Sequence, residues 1–345
     1  MLDACHAAPH VASACHKSPY TATMGGPDPV AYRRALQGWY QEHGRHDLPW
    51  RETRDSYAVL VSEVILQQTQ VQRVMPYYLE WMQRWPDATA LAAASPGDVI
   101  RAWAGLGYNR RALNLHRAAQ AAVQSFGGRV PSTVSELKVL PGIGPYTAGA
   151  VDCFAAGAVE PFADTNIARV VARSCLGSPT AKEASANAVT KAATRLLPDQ
   201  NARDHNLALM DLGATVCTTR PACLLCPVAK ECVWRAKGAP VTAPGAPRQS
   251  TPRFETTARY ARGRILDLLR AGPAAKATLT DALPEAHAAR IDTYLAALRT
   301  EGLIAETAGA WSLPGDPVSS NDQRREETTM PARGEVQPTE SRDER

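Results

Sequence analysis

The sequence predicts an all-α body followed by a small α+β unit, and three observations carry that prediction. Apolar residues recur at spacings of three and four along 30–40, 57–66, 95–104, 111–123, 166–175 and 183–197, as in helices with one buried face. Prolines at 49, 76, 86, 96, 131, 141, 161, 179 and 198 fall near the expected helix ends, and no hairpin signal interrupts residues 29–236. A Pro/Gly/Ser/Thr-rich stretch at 237–256 reads as a linker and sets off a short region with a pattern of its own. The chain of 345 residues suits about two domains.

Residues 1–28 lack periodicity and are rich in Ala, Pro and Gly, which predicts a disordered extension or an over-long start with Met24 as the true one. The Cys-His pairs at 5/6 and 15/16 are read as part of that extension rather than as a metal site. Beyond the linker, helix signals lie at 257–270, 278–283 and 286–301, followed by an alternating run from Leu303 to Leu313 with Gly309 at a turn. Helices ending in a small hairpin over 257–315 form a winged-helix-like pattern, whose last helix would be offered to a major groove. A generic three-helix capping domain is the plainer alternative. Residues 316–345 are polar and repeat-free, which predicts a disordered tail.

Composition narrows the class. The most apolar long stretch, 148–163, carries Asp152 and two glycines, so membrane spans are not expected, and no cationic start leads into an apolar run as a secretory signal would. Residues 316–345 carry five basic and eight acidic side chains and residues 1–28 one and two. That leaves 29–315 at +8 within a whole-chain charge of +4. A basic body suits a polyanionic partner.

Four of the eight cysteines, Cys217, Cys223, Cys226 and Cys232, fall within sixteen residues as C-x5-C-x2-C-x5-C. A disulfide framework belongs to short secreted chains, so a metal site in a reducing cytoplasm is expected. Two separated C-x2-C pairs would favour zinc. One such pair flanked by single cysteines leans towards a [4Fe–4S] cluster, and spacing alone leaves both open.

Three further places carry chemistry. Leu140-Pro141-Gly142-Ile143-Gly144-Pro145-Tyr146-Thr147 joins two helical stretches through two glycines. A helix-hairpin-helix there would grip the DNA backbone at Gly142, Gly144 and Thr147, whereas an ordinary inter-helix turn would not. Glu63 lies on a helical face with Val59, Leu60 and Leu66, so its carboxyl is either paired, with an Arg for example, or raised in pKa as a general acid needs. Asp164 precedes the helical run Thr165–Val171 and reads first as an N-cap, with a second possible role of stabilising a cationic sugar.

Together these residues resemble the helix-hairpin-helix base-excision DNA glycosylases, specifically the adenine DNA glycosylases (MutY type). The resemblance covers 29–236 and rests on LPWR (48–51), SEVILQQTQ (62–70), GLGYNRRALNLH (105–116), LPGIGPYTAGA (140–150), ADTNIARV (163–170), MDLGA (210–214) and the cysteine loop. It implies two α-helical subdomains with a [4Fe–4S] loop at 217–232, a monomer acting on double-stranded DNA that carries a mismatched or oxidised base pair. By the resemblance Glu63 protonates the flipped adenine, Asp164 stabilises the oxocarbenium-like sugar, and Tyr146 and Asn166 support them. Gln68 and Tyr108 match residues inserted into the DNA stack, while Leu48, Trp50 and Arg51 border the adenine pocket.

Tyr146 stands where bifunctional relatives carry a Schiff-base lysine, which implies a monofunctional enzyme. The first cysteine gap is x5 where most relatives have x6, Asn109 replaces a common second tyrosine, and Thr165 stands where many members have Gly. The winged-helix-like unit occupies the place of the Nudix-like domain that contacts 8-oxoguanine in many relatives. Adenine opposite 8-oxoguanine or guanine is therefore the expected target. Thymine or uracil mismatch glycosylases share the cluster, the Asp and the Tyr, but LQQTQ (66–70) favours adenine. Intact Glu63 and Asp164 argue against a non-catalytic iron–sulfur DNA-binding regulator.

Overall fold

The computed structural model describes residues 26–159, 161–238 and 253–317, so most of the expected N-terminal extension, linker and acidic tail lie outside the described residues. The described chain forms two compact units: residues 26–94 with 105–238, and residues 95–104 with 253–317.

The first unit is helical, and no strand occurs among its described residues. Its helices are α1 (Pro29–His43), α2 (Pro49–Glu52), α3 (Ser56–Leu66), α4 (Val71–Arg84) and α5 (Ala88–Ala93), then, after α6 of the second unit (Pro96–Ala102), α7 (Arg110–Phe126), α8 (Val134–Leu137), α9 (Pro145–Val151), α10 (Thr165–Leu176), α11 (Ala186–Leu196), α12 (Ala202–Asp211) and α13 (Val233–Ala236). Local chemistry sets the boundaries. Asp28 accepts from the amides of Val30 and Ala31, Asp55 from Ala58, Asp87 from Ala90 and Ser185 from Ala188, each satisfying donors left open by the first turn. Gly127 and Gly177 end α7 and α10 in the left-handed conformation.

Helix α3 runs through the centre, with every residue from Tyr57 to Ile65 buried, and α4, α7 and α9 pack around it. A second bundle joins α1, α10, α11, α12 and α13. Two helices continue into π-helical turns, α9 into Asp152–Ala156 and α12 into Leu212–Val216. Pro76, expected near a helix end, instead lies inside α4. It sits in the second turn, where its missing N–H removes one helical bond.

The second unit contains α6, α14 (Ala258–Ala271), β1 (Ala274–Ala275), α15 (Lys276–Asp281), α16 (Glu285–Ala288), α17 (Ile291–Thr300), β2 (Ala305–Thr307) and β3 (Ala310–Ser312). The antiparallel sheet has the order β1-β3-β2, with Ala274 opposite Trp311 and Ala305 opposite Ser312. Ile265, Leu269, Leu279, Leu295, Leu298 and Leu313 fill its core. The helix expected over 286–301 is broken at Ala289–Arg290. His287 is held at both ring nitrogens, by Tyr294 Oη at 2.9 Å and by the carbonyl of Glu255 at 2.8 Å, and these bonds fix α16 apart from α17. Helix α6 joins this unit through Gly97 N–H donating to Pro314 O, and through Arg101 gripping Asp316 at 2.7 and 2.6 Å. A Cβ at residue 97 would stand 2.9 Å from Asp316 Oδ1, so glycine keeps this junction closed. Among the described residues no helix is long and apolar enough to cross a membrane.

Candidate active site

A cavity of about 450 Å³ opens in the first unit, and it gathers residues from five separate stretches of sequence. Leu48, Trp50 and Arg51 come from the start of α2, Glu63 from α3, Gln68 from the turn after it, Tyr146 from α9, and Asp164 and Asn166 from the start of α10. The volume falls within the range that encloses a small planar ligand.

Glu63 is 5% exposed on the most apolar helix of the unit, and Tyr146 Oη donates to its Oε2 at 2.9 Å. Burial pushes the Glu63 carboxyl up to about 7; the Tyr146 hydrogen bond opposes that rise, the charge of Asp164 adds to it, and Arg51 lowers it. The two readings the sequence offered meet here: the carboxyl has a partner in Tyr146 and its pKa is raised as well. Near neutral pH the carboxyl therefore exists in both forms, and with Oε2 taken by Tyr146 the other oxygen remains to exchange a proton. The Tyr146 hydroxyl is itself raised well above 10, chiefly by burial and then by the charge of Glu63, so it stays a neutral donor.

Asp164 is the N-cap that its position suggested. Its Oδ1 accepts from the amides of Asn166 at 3.0 Å and Ile167 at 2.6 Å, and its Oδ2 from Asn166 Nδ2 at 2.9 Å. Burial raises its pKa while these bonds pull it down. The carboxylate is thus clamped in one orientation. Asn166 is anchored in turn by Arg169, which donates to Asn166 Oδ1, Gly213 O and Cys217 O. A Cβ on Gly213 would meet Asn166 Cβ at 2.6 Å, so the glycine in the π-turn after α12 permits that approach.

One participant was missed in the sequence. Asp211, within the quoted MDLGA run, is fully buried and accepts from Arg51 Nη1 and Nη2 at 2.6 and 2.7 Å, and from the backbone and side chain of Arg45. Those partners hold its carboxyl below the usual range despite burial. The pair fixes the cavity wall at Arg51, and Trp50 packs edge-on to Tyr78 beside it.

The remaining candidates lie elsewhere. Tyr108 is 45% exposed in the loop before α7 and does not line the cavity. Both Gln68 and Tyr108 have positive φ, 57° and 46°, unusual for residues other than glycine. Gly142 takes φ +80°, and a Cβ there would strike Asn114 at 2.6 Å, so the hairpin requires glycine. Gly144 caps α9 with open space around it. The Thr147 side chain is buried and its hydroxyl accepts from the Gln67 amide at 3.5 Å.

All four loop cysteines line one further cavity, with Arg173 and Trp234. Among the described residues no three His, Cys, Asp or Glu side chains gather as a single metal ion requires. Burial and the charges of the other three thiols push Cys226 up to about 12. Arg173, stacked over Trp234 at 4.8 Å, donates to Cys217 Sγ at 3.4 Å and to Thr218 O at 2.6 Å.

Residues 61–197 match the HhH-GPD superfamily base excision DNA repair protein family. Over 286 residues the chain is 44% identical to an adenine DNA glycosylase of Mycolicibacterium smegmatis, covering 81% of this chain and 95% of that protein. An adenine DNA glycosylase of Homo sapiens is 43% identical over 214 residues, 59% of this chain and 39% of that protein. Among solved structures, a thermostable thymine-DNA glycosylase aligns with a TM-score of 0.56 and 29% identity, covering 61% of this chain and 97% of that one. Endonuclease III in a non-covalent complex with DNA shares the fold at a TM-score of 0.50 and 21% identity, covering 61% and 98%.

Proposed function

The chain belongs to the adenine DNA glycosylases of the HhH-GPD superfamily, base excision repair enzymes that hydrolyse N-glycosyl bonds, and from that premise we propose which residues act and on what duplex. The substrate is double-stranded DNA with adenine opposite 8-oxoguanine or guanine, bound by a monomer. The observation that carries the residue assignment is the Tyr146–Glu63 hydrogen bond, which leaves a carboxyl of pKa about 7 with one free oxygen in the cavity that Asp164 also lines.

In its protonated form Glu63 gives its proton to N7 of the extruded adenine, which makes the base a competent leaving group. The C1′–N9 bond breaks with its electron pair going to the base, and positive charge develops on the sugar. Asp164, held by three N–H donors, stabilises that charge without reorganising. Water adds to C1′ and its proton returns to the Glu63 carboxylate. Tyr146 offers no amine for a Schiff base, which supports base release without strand cleavage. Gln68 and Tyr108 fill the stack from which the base is drawn, offsetting an extrusion cost of a few kcal/mol. The amides after Gly144 and the exposed Lys138 supply phosphate contacts.

Cys217, Cys223, Cys226 and Cys232 would hold a [4Fe–4S] cluster. Four thiols around one cavity, with the cationic Arg173 beside them, support that reading. A cluster held by these four residues would cross-link the loop 217–232; iron content and visible absorption test it. Helices α14, α15 and α17 with the β2–β3 hairpin support a winged-helix-like reading of the second unit. The charged side chains of α17 are paired, Asp292 with Lys276 and Arg299 with Glu306.

Single-turnover base release from duplexes carrying A:8-oxoG, A:G, A:C, T:G and U:G, followed by alkali, tests the proposal. Adenine release fastest opposite 8-oxoguanine is expected, and release of thymine or uracil instead would overturn the substrate. Asp164→Asn keeps the N-cap, because Asn also accepts the first-turn amides, yet removes the charge. It should slow release by at least about 10²–10³-fold with DNA affinity retained; unchanged turnover would refute the role given to Asp164.

A further inference from the structure

Three described non-glycine residues of the first unit lie in the left-handed region, Gln68 after α3, Tyr108 before α7 and Asn201 before α12, and one side chain reaches the turns of the first two. Arg111, in the first turn of α7, donates through Nη1 to Val64 O at 2.9 Å, Ile65 O at 3.3 Å and Gln67 O at 2.5 Å. Through Nη2 it donates to Leu106 O at 3.3 Å and Gly107 O at 3.2 Å. Two of these acceptors are decisive. Gln67 O belongs to the peptide immediately before Gln68, and Gly107 O to the peptide immediately before Tyr108. The orientation of a peptide plane sets the φ available to the following residue, so one guanidinium fixes both turns at the planes that determine their conformation. Its carbon also lies 5.7 Å from the centre of the Tyr108 ring.

We propose that Arg111 is a positioning residue for DNA distortion: it holds Gln68 and Tyr108 at a fixed separation, so that both enter the duplex together while the target base leaves. Capping the carbonyls at the end of α3 would alone explain the contacts to Val64 and Ile65. It does not explain the contacts to the loop 106–107, which is 40 residues away in the chain and holds the second wedge. A planar fork with parallel donors can serve five carbonyls; a lysine ammonium, with three donors at one point, cannot span both turns. The inference rests on the glycosylase reading only in naming DNA as what the two side chains enter.

The test uses the full chain in an Asp164→Asn background and a duplex with 2-aminopurine opposite 8-oxoguanine, whose fluorescence rises as the base unstacks. Arg111→Lys should leave affinity for an undamaged duplex within about twofold, while lowering the fluorescence amplitude and the lesion-specific affinity about tenfold. Combined with Gln68→Ala or Tyr108→Ala, it should add little to the loss that either causes alone, because all act on one step. Losses that multiply across the pair, or a lowered Tm with amplitude intact, would overturn the proposal. Arg111→Lys is chosen because it keeps the charge in place; should Arg111→Met fail to fold, the lysine variant still decides. In the unaltered active site, a chain that unstacks 2-aminopurine yet releases no adenine would refute the glycosylase reading and leave this one standing.

Discussion

The two units employ their arginines differently. In the first unit, Arg45 and Arg51 pair with the Asp211 carboxylate, but Arg33, Arg111, Arg169, Arg173, Arg203 and Arg235 direct their guanidinium groups at backbone carbonyls, of Leu197, Gln67, Cys217, Thr218, Phe154 and Cys223 among others. In the second, Arg101, Arg262, Arg270, Lys276 and Arg299 meet carboxylates, of Asp316, Glu301, Asp267, Asp292 and Glu306, although Arg101 and Arg270 also donate to the carbonyls of Arg270 and Ile100. A carbonyl orients a cation without cancelling its charge, whereas a carboxylate cancels it. Between residues 253 and 317 eight basic and eight acidic side chains balance, while the basic excess lies in the first unit. The same bonds that pin irregular loops around the site thus leave a positive surface for a polyanion.

The largest effect that would break this contrast is on stability. Arg173 is 4% exposed and serves Pro179 O, Thr218 O, Cys217 Sγ and the Trp234 ring. Arg173→Ala strands buried carbonyls and should cost about 2–4 kcal/mol in denaturant unfolding. A loss no larger than that of a surface ion pair would remove the distinction.

The second effect belongs to Glu63. Its folded pKa of about 7 exceeds the ordinary 4.5, so the folded state binds the proton more tightly and loses stability as pH rises from about 4.5 towards 7. Glu63→Gln should therefore gain on the unaltered chain as pH rises from 5 to 8, by up to about 3 kcal/mol. Base release by the unaltered chain should fall above about pH 7, as the acid form is lost. A stability difference that is flat with pH would contradict the buried-acid assignment.

Salt sharpens the comparison further. If the first unit supplies the phosphate contacts, Lys138→Gln should lower the slope of log affinity against log salt by about 0.9, one phosphate's worth. Lys276→Gln, in a paired position, should leave the slope unchanged. Equal effects would mean that the second unit also meets DNA. The smallest effect is Arg262→Ala. Its bridge to Glu301 is part-exposed, and its loss should cost only about 0.5–1 kcal/mol.

Much of the site was legible because its chemistry is local. Asp164 stands before a helical run and caps it; Glu63 lies among Val59, Leu60 and Leu66 and is buried with the first two. What no local pattern carries is their sharing of one cavity, which depends on the packing of α3, α9 and α10 and entered only through the family resemblance. Asp211 and Arg111 were invisible for a related reason. An acid at a helix end and an arginine in a first turn are ordinary in sequence, and their partners lie 160 and 44 residues away. The π-turns after α9 and α12 leave no composition signal. The break between α16 and α17 falls at Ala289-Arg290, both good helix formers, because contacts to His287 override propensity.

Helix α6 adds a consequence in time. Its Arg101 bonds to Arg270 and Asp316, residues 169 and 215 positions further along the chain. At ribosomal speeds of about 5–20 residues per second, α6 is complete roughly 10–40 s before Asp316 is translated. For that interval Val99 and Ile100, fully buried in the finished protein, lack the partners that their helix finally meets. The second unit is therefore among the last parts of the nascent protein to close, and a ribosome that stalls before Leu313, the last buried apolar residue of that unit, releases a chain with an open apolar seam for chaperones or proteases to find.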